Sequence, residues 1–155
     1  MFTMDDLFDI AINMEKNGEA VYVGSILRID SPELKDSLQW MADEEARHRQ
    51  WFVDQKNQLI LEIKEKHLKE MAPGLLQQMM DEKALSLDDI DFSQLHNIKD
   101  LFEIFIGFEE DTIKFYEVLE MFINDPAVKK GLDMIVEEEK KHVANLCEMI
   151  RKLEA

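Results

Sequence analysis

Cysteine is almost missing from this chain: Cys147 is the only one. It has no partner for an internal disulfide, and it cannot build a tetrathiolate iron site, which needs four thiolates. A reducing cytoplasm is the natural setting for such a sequence. Glycine and proline are also scarce, with 5 Gly and 3 Pro in 155 residues. So few turn signals favour a small number of long helices over a sheet. There is no apolar run of the roughly 18 residues that a membrane span requires. Met1 to Asp6 lacks the basic segment and apolar stretch of a secretory signal. Positive charge is short as well: 18 Lys and Arg face 34 Asp and Glu, for a net charge of −16. A surface this acidic repels nucleic acid and anionic membranes, which argues against both as partners. No glycine-rich phosphate loop is present, nor a serine or cysteine nucleophile with a partnered base.

Hydrophobic residues make up 46% of the chain, enough for one continuous core in a single domain spanning 1–155. They fall at helical spacing. Phe8, Ala11, Glu15, Gly18, Tyr22, Ser25 and Ile29 form one stripe, which predicts a helix from about Thr3 or Met4 to Ile29. Asp30-Ser31-Pro32 interrupts it, with Ser31 suited to cap a second helix and Pro32 to its first position. That helix carries Leu38, Met41, Glu45, His48 and Phe52 inward and is expected to reach about Glu70, before Pro73-Gly74. Residues 71–96 lose the pattern and read as a crossover, with Leu75 to Met80 as a helical turn or a short helix. A third helix begins near Ile98, with Phe102, Phe105, Glu109, Thr112, Tyr116, Leu119 and Ile123 inward. Asn124-Asp125-Pro126 repeats the stop and restart, and a fourth helix turns Leu132, Ile135, Glu139, His142, Leu146 and Met149 inward. The expected fold is all-α. Two helical hairpins, about 3–70 and 97–154, are joined by a long crossover into a four-helix bundle.

The two hairpins repeat each other. Glu15, Tyr22, Glu45 and His48 recur as Glu109, Tyr116, Glu139 and His142, at one constant offset (109 − 15 = 116 − 22 = 139 − 45 = 142 − 48 = 94). Pro32 and Pro126 keep that offset, as do Leu38 and Leu132. Glu45-Ala46-Arg47-His48 and Glu139-Lys140-Lys141-His142 are both Glu-x-x-His, a spacing that sets carboxylate and imidazole one turn apart on one helix face. One such motif means little in an acidic helix. Two at matched offsets, each preceded by a seam glutamate, put four carboxylates and two imidazoles inside an apolar stripe. Such a donor set suits a pair of divalent first-row metal ions. Four buried carboxylates carry four negative charges into a poorly polarisable core, and two dications neutralise them. Without metal the site must take up protons, admit water or distort, so metal binding should stabilise the fold and release protons.

Other positions follow from the same faces. Gly18 and Thr112 lie one turn after Glu15 and Glu109, where small side chains leave room for a small oxidant; equally, they permit close helix packing. Tyr22 and Tyr116 are placed to hydrogen-bond ligand carboxylates, or to serve as ordinary core tyrosines. Glu19, Glu44 and Glu138 border the site in sequence, and most of them are expected in solvent. His67 and His96 fall outside the pattern and are expected at the surface. Cys147 is expected to pack as a small apolar residue.

The four segments Glu15-Lys-Asn-Gly-Glu-Ala-Val-Tyr22, Asp43-Glu-Glu-Ala-Arg-His48, Glu109-Glu-Asp-Thr-Ile-Lys-Phe-Tyr116 and Glu137-Glu-Glu-Lys-Lys-His142 resemble the helix signatures of the rubrerythrin family. That family sits among the ferritin-like di-iron carboxylate proteins, and the resemblance covers nearly the whole chain apart from the crossover. It implies a ferritin-like bundle in which Glu15, Glu45, His48, Glu109, Glu139 and His142 hold two iron ions, Glu45 and Glu139 bridging them. Manganese or zinc would accept the same donors. The implied activity is that of an oxidoreductase in oxidative-stress defence, reducing hydrogen peroxide or dioxygen. A non-catalytic iron-binding or iron-storage protein is the alternative. Rubrerythrin proper also carries a rubredoxin-like domain, for which this chain has neither the cysteines nor the length, so the resemblance implies an external electron-donor protein. Where rubrerythrin has an extra glutamate one turn after the third-helix ligand, this chain has Thr112. The family's peroxide reaction moves an iron between a carboxylate and a histidine, and this substitution bears on that step. A homodimer is compatible with the apolar helix surfaces.

Overall fold

The computed structural model describes residues 4–58 and 97–154. These form four helices: α1 (Met4–Ile26), α2 (Pro32–Gln58), α3 (Ile98–Glu120) and α4 (Pro126–Glu154). The expected extension of α2 to Glu70, the crossover with Leu75 to Met80, and both His67 and His96 lie outside the described residues.

The helix ends follow from local chemistry. Ser31 Oγ accepts from the Leu34 amide at 3.4 Å, opening α2 just before Pro32. Asp125 Oδ1 accepts from Ala127 N at 2.8 Å and Val128 N at 3.2 Å, opening α4 in the same way. Asn97, in extended backbone, caps α3 by accepting from Asp100 N at 2.8 Å. Each such cap satisfies an amide that the helix leaves unpaired and contributes about 1 kcal/mol. Helix α1 stops at Ile26, three residues short of the predicted end. The chain turns there, with Arg28 N bonding Ser25 O at 3.0 Å and Ile29 N bonding Ile26 O at 3.3 Å, and Ile29 remains buried.

Helices α1 and α2 pack along their length as one hairpin, α3 and α4 as the other; between hairpins α2 meets α4 and α1 meets α3. The apolar side chains collect at the two ends of the bundle. One cluster joins Phe8, Phe52, Phe115, Tyr116 and Leu132; the other joins Tyr22, Leu38, Met41, Phe105 and Leu146. The middle of the bundle lies between these plugs, and it is there that the charged residues are buried: Glu15, Glu45, His48, Glu109, Glu139 and His142 are each at most 2% exposed. Cys147, expected to pack as a small apolar residue on a helix face other than that of His142, is exposed. Among the described residues no helix is long and apolar enough to cross a membrane.

Candidate metal centre

Each helix delivers its share of the centre from the seam. Glu15 comes from α1, Glu45 and His48 from α2, Glu109 from α3, Glu139 and His142 from α4. Glu15, Glu45, His48 and Glu139 offer donor atoms that all lie within 4.8 Å of one another, and so do Glu45, Glu109, Glu139 and His142. Glu45 and Glu139 belong to both sets. The two imidazoles lie near-parallel with ring centroids 6.0 Å apart.

Their nitrogens face in two directions. His48 Nδ1 turns inward, 2.9 Å from Glu139 Oε1 and 3.5 Å from Glu15 Oε2. His142 Nδ1 also turns inward, 3.1 Å from Glu139 Oε2 and 3.4 Å from Glu45 Oε1 and Glu109 Oε1. The outer nitrogens meet Glu138 and Glu44: His48 Nε2 lies 2.6 Å from Glu138 Oε2, and His142 Nε2 lies 3.0 Å from Glu44 Oε2. The expectation that Glu44 and Glu138 are solvated is therefore corrected. Both are mostly covered, and each binds the histidine of the opposite hairpin; Arg47 pairs with both. Their matched spacing (138 − 44 = 94) was the available signal. Glu19, by contrast, pairs with Arg49 at the rim.

The tyrosines cross between hairpins. Tyr22 Oη donates to Glu109 Oε1, and Tyr116 Oη donates to Glu15 Oε1. Gly18 sits against Glu45: a Cβ there would lie 3.3 Å from Glu45 Cδ and 3.4 Å from Oε1. The space left by the missing side chain is thus taken by a carboxylate. Thr112 is 2% exposed and donates its hydroxyl to the Phe108 carbonyl at 2.9 Å.

Protons organise the cluster of carboxylates and imidazoles. Burial disfavours charge on both histidines, but the surrounding carboxylates outweigh it: Glu139 and Glu15 raise His48 to about 11, and Glu109 and Glu139 raise His142 to about 10. Burial and the charge of Glu139 raise Glu109 to about 7. Burial, together with Glu109 and Glu139, pushes Glu45 well above the ordinary carboxylate range. Burial also works against ionised Glu15, yet hydrogen bonds from Glu45 and His48 bring it below that range. Even so, Glu15 Oε2, Glu45 Oε1, Glu109 Oε2, Glu139 Oε2 and His142 Nδ1 are buried, and the close approaches among them do not align as hydrogen bonds. A buried polar atom without a partner costs about 1–3 kcal/mol, more when charged. One such oxygen from each of four carboxylates, with an imidazole nitrogen, is a donor set that fits a pair of hard-to-borderline dications.

The sequence matches the family model described as Rubrerythrin over residues 6–150. The chain belongs to the rubrerythrin family. A protein of Thermotoga maritima described as ferritin-like and diiron-carboxylate has a similar structure, with a TM-score of 0.70 and 22% identity over 97% of this chain and 95% of that one. A hypothetical protein of Pyrococcus furiosus is also similar, with a TM-score of 0.64 and 19% identity over 97% of this chain and 89% of its own. No curated protein matches. The fold of this rubrerythrin-family chain is thus a ferritin-like four-helix bundle, and its buried Glu/His cluster fits the di-metal site typical of such proteins.

Proposed function

We propose that this chain is a di-iron oxidoreductase that reduces hydrogen peroxide or dioxygen with electrons from a separate donor protein in the cytoplasm. The observation that carries the reading is the pair of four-residue donor sets sharing Glu45 and Glu139, with unpartnered oxygens on all four glutamates. Glu15 and His48 would hold one ion, Glu109 and His142 the other, and Glu45 and Glu139 would lie between them. A bound pair of ferrous ions supplies two electrons and Lewis-acid polarisation to an O–O bond.

The protein's own groups do the rest. Nδ1 of each histidine gives up its proton to become a donor, while Nε2–H stays on Glu138 or Glu44 and keeps the ring oriented. Tyr22 and Tyr116 hold Glu109 and Glu15 by one oxygen each and leave the second free. The apolar plugs at both ends keep bulk water away, which strengthens every charge interaction inside.

Rapid mixing of anaerobic Fe²⁺-loaded protein with peroxide tests the reading. Oxidation well above the rate of free Fe²⁺ is expected, and loss of that advantage in Glu45→Ala and Glu139→Ala. A rate no higher than that of free Fe²⁺ would overturn it. Metal analysis of anaerobically purified protein, expected to give two irons per chain, checks the choice over manganese or zinc.

A further inference from the structure

The two halves of the centre differ in what covers them from outside. Trp40 lies edge-on against the His142 ring, with centroids 5.5 Å apart and planes at 77°. One repeat later the matching position is Met134 (134 − 40 = 94). No indole covers His48 there. A cavity of about 190 Å³ stands instead between α2 and α4, lined by His48, Arg47, Trp51, Gly131, Met134 and Glu138 among others. Trp51 bounds this cavity without filling it, because its indole lies on Gly131, where a Cβ would come within 2.6 Å of the ring. Arg47 and Glu138 form an ion pair at the wall, and Glu138 also touches His48 Nε2.

The space suits a small, uncharged guest. It has room for several water-sized molecules, each of which takes about 30 Å³ in the liquid. Tryptophan and methionine faces line it, and its charges are already paired with each other. A larger organic substrate would not fit.

We propose that this cavity is the vestibule through which a small neutral oxidant reaches the buried centre. Access is one-sided because Trp40 closes the matching place at His142. The inference rests on the di-metal reading and adds to it a route and a selective residue pair. Between the vestibule and the centre stand the Arg47–Glu138 and Glu138–His48 contacts. Movement of Arg47, whose side chain is exposed, together with Glu138 opens these, whereas entry along the bundle axis would have to disrupt the apolar clusters.

Nitric oxide, a small neutral molecule that binds and colours ferrous iron, is the probe. It is mixed with anaerobic Fe²⁺-loaded protein, and the rate of colour formation is read separately from its final amplitude. Met134→Trp copies the Trp40 arrangement onto the His48 side. Met134 is 56% exposed, so the fold tolerates the change. Binding on the order of tenfold slower is expected, with unchanged iron content and amplitude. Moving the indole, in the double variant Trp40→Met with Met134→Trp, should restore the rate by opening the other side. A Met134→Trp variant that holds its iron and binds at the unaltered rate overturns the vestibule. Wild-type protein that takes up no iron overturns the di-metal reading itself, and the vestibule falls with it.

Discussion

Tyr22 donates its hydroxyl to Glu109, a carboxylate of the other hairpin, and Tyr116 returns the bond to Glu15. Each tyrosine stands seven residues after the seam glutamate of its own helix (22 − 15 = 116 − 109 = 7), yet each reaches the partner helix. The two bonds tie the hairpins together through the centre. Burial raises both hydroxyls well above their ordinary range, and the nearby carboxylates, led by Glu109 for Tyr22 and Glu15 for Tyr116, raise them further. They therefore remain protonated donors at any physiological pH.

Removing one hydroxyl leaves a buried carboxylate oxygen unsatisfied. Tyr22→Phe is expected to destabilise the metal-free protein by about 1–3 kcal/mol, a fall of several degrees in melting temperature, with Tyr116→Phe similar. Thermal melts check this. Two melting curves indistinguishable from wild type would mean that the crossing bonds contribute nothing.

Stability of the metal-free protein should fall as pH rises above about 4.5. Glu109 keeps its proton to about 7 in the fold, whereas the unfolded chain releases it near 4.5, so its contribution is present below 4.5 and lost between 4.5 and 7. Glu45, also raised, acts in the same sense. His48 and His142 contribute fully below their ordinary 6.5 and lose that contribution as pH approaches about 11 and about 10. Glu15, lowered, acts in the opposite sense, but only below 4.5. Melting temperature of metal-free protein should therefore decline from pH 5 to 8. Metal affinity should rise over the same range, because binding displaces those protons. A metal-free melting temperature that climbs from pH 5 to 8 would contradict this assignment.

Glu138 and Glu44 orient imidazoles they do not share a hairpin with. Glu138→Ala is expected to lower metal affinity on the order of 10–100-fold, with a smaller loss in Glu138→Gln, whose amide oxygen can still accept from Nε2–H. Glu44→Ala should act similarly through His142. Competition titration with Co²⁺ and a chelator measures these affinities, and the Co²⁺ absorption spectrum reports ligand geometry. Equal affinities for wild type, Glu138→Ala and Glu44→Ala would remove both residues from the centre.

Two glycines should respond in opposite ways. At Gly107, inside α3, no atom lies within 4 Å of an added Cβ, so Gly107→Ala should stabilise by roughly 0.5–1 kcal/mol through helix propensity. At Gly18 the added methyl would press on Glu45, so Gly18→Ala should weaken metal binding by displacing a shared carboxylate. Melting curves and metal titrations of the two variants, run side by side, separate the effects.

Much of the bundle was legible from spacing. Every inward residue expected on the four helices, from Phe8 to Met149, is buried, because a 3.6-residue period fixes which face of a helix meets a core. The starts of α2 and α4 were equally readable, since Ser31-Pro32 and Asp125-Pro126 act within one turn. The end of α1 was not, because Ile29 stays buried through a turn that continues no helix. The covered state of Glu44 and Glu138 was missed for a related reason: they lie one position off the seam and are held by rings on another helix.

Sequence by itself determined the helical faces, the twofold repeat and the set of carboxylates and imidazoles that point inward, for these depend on neighbours within a turn or two. Tertiary structure alone decided who partners whom: Tyr22 with Glu109, His48 with Glu138, Trp40 across His142 while Met134 leaves His48 beside open space. Those pairings depend on how far one hairpin slides and rotates against the other, and no spacing along the chain encodes that displacement.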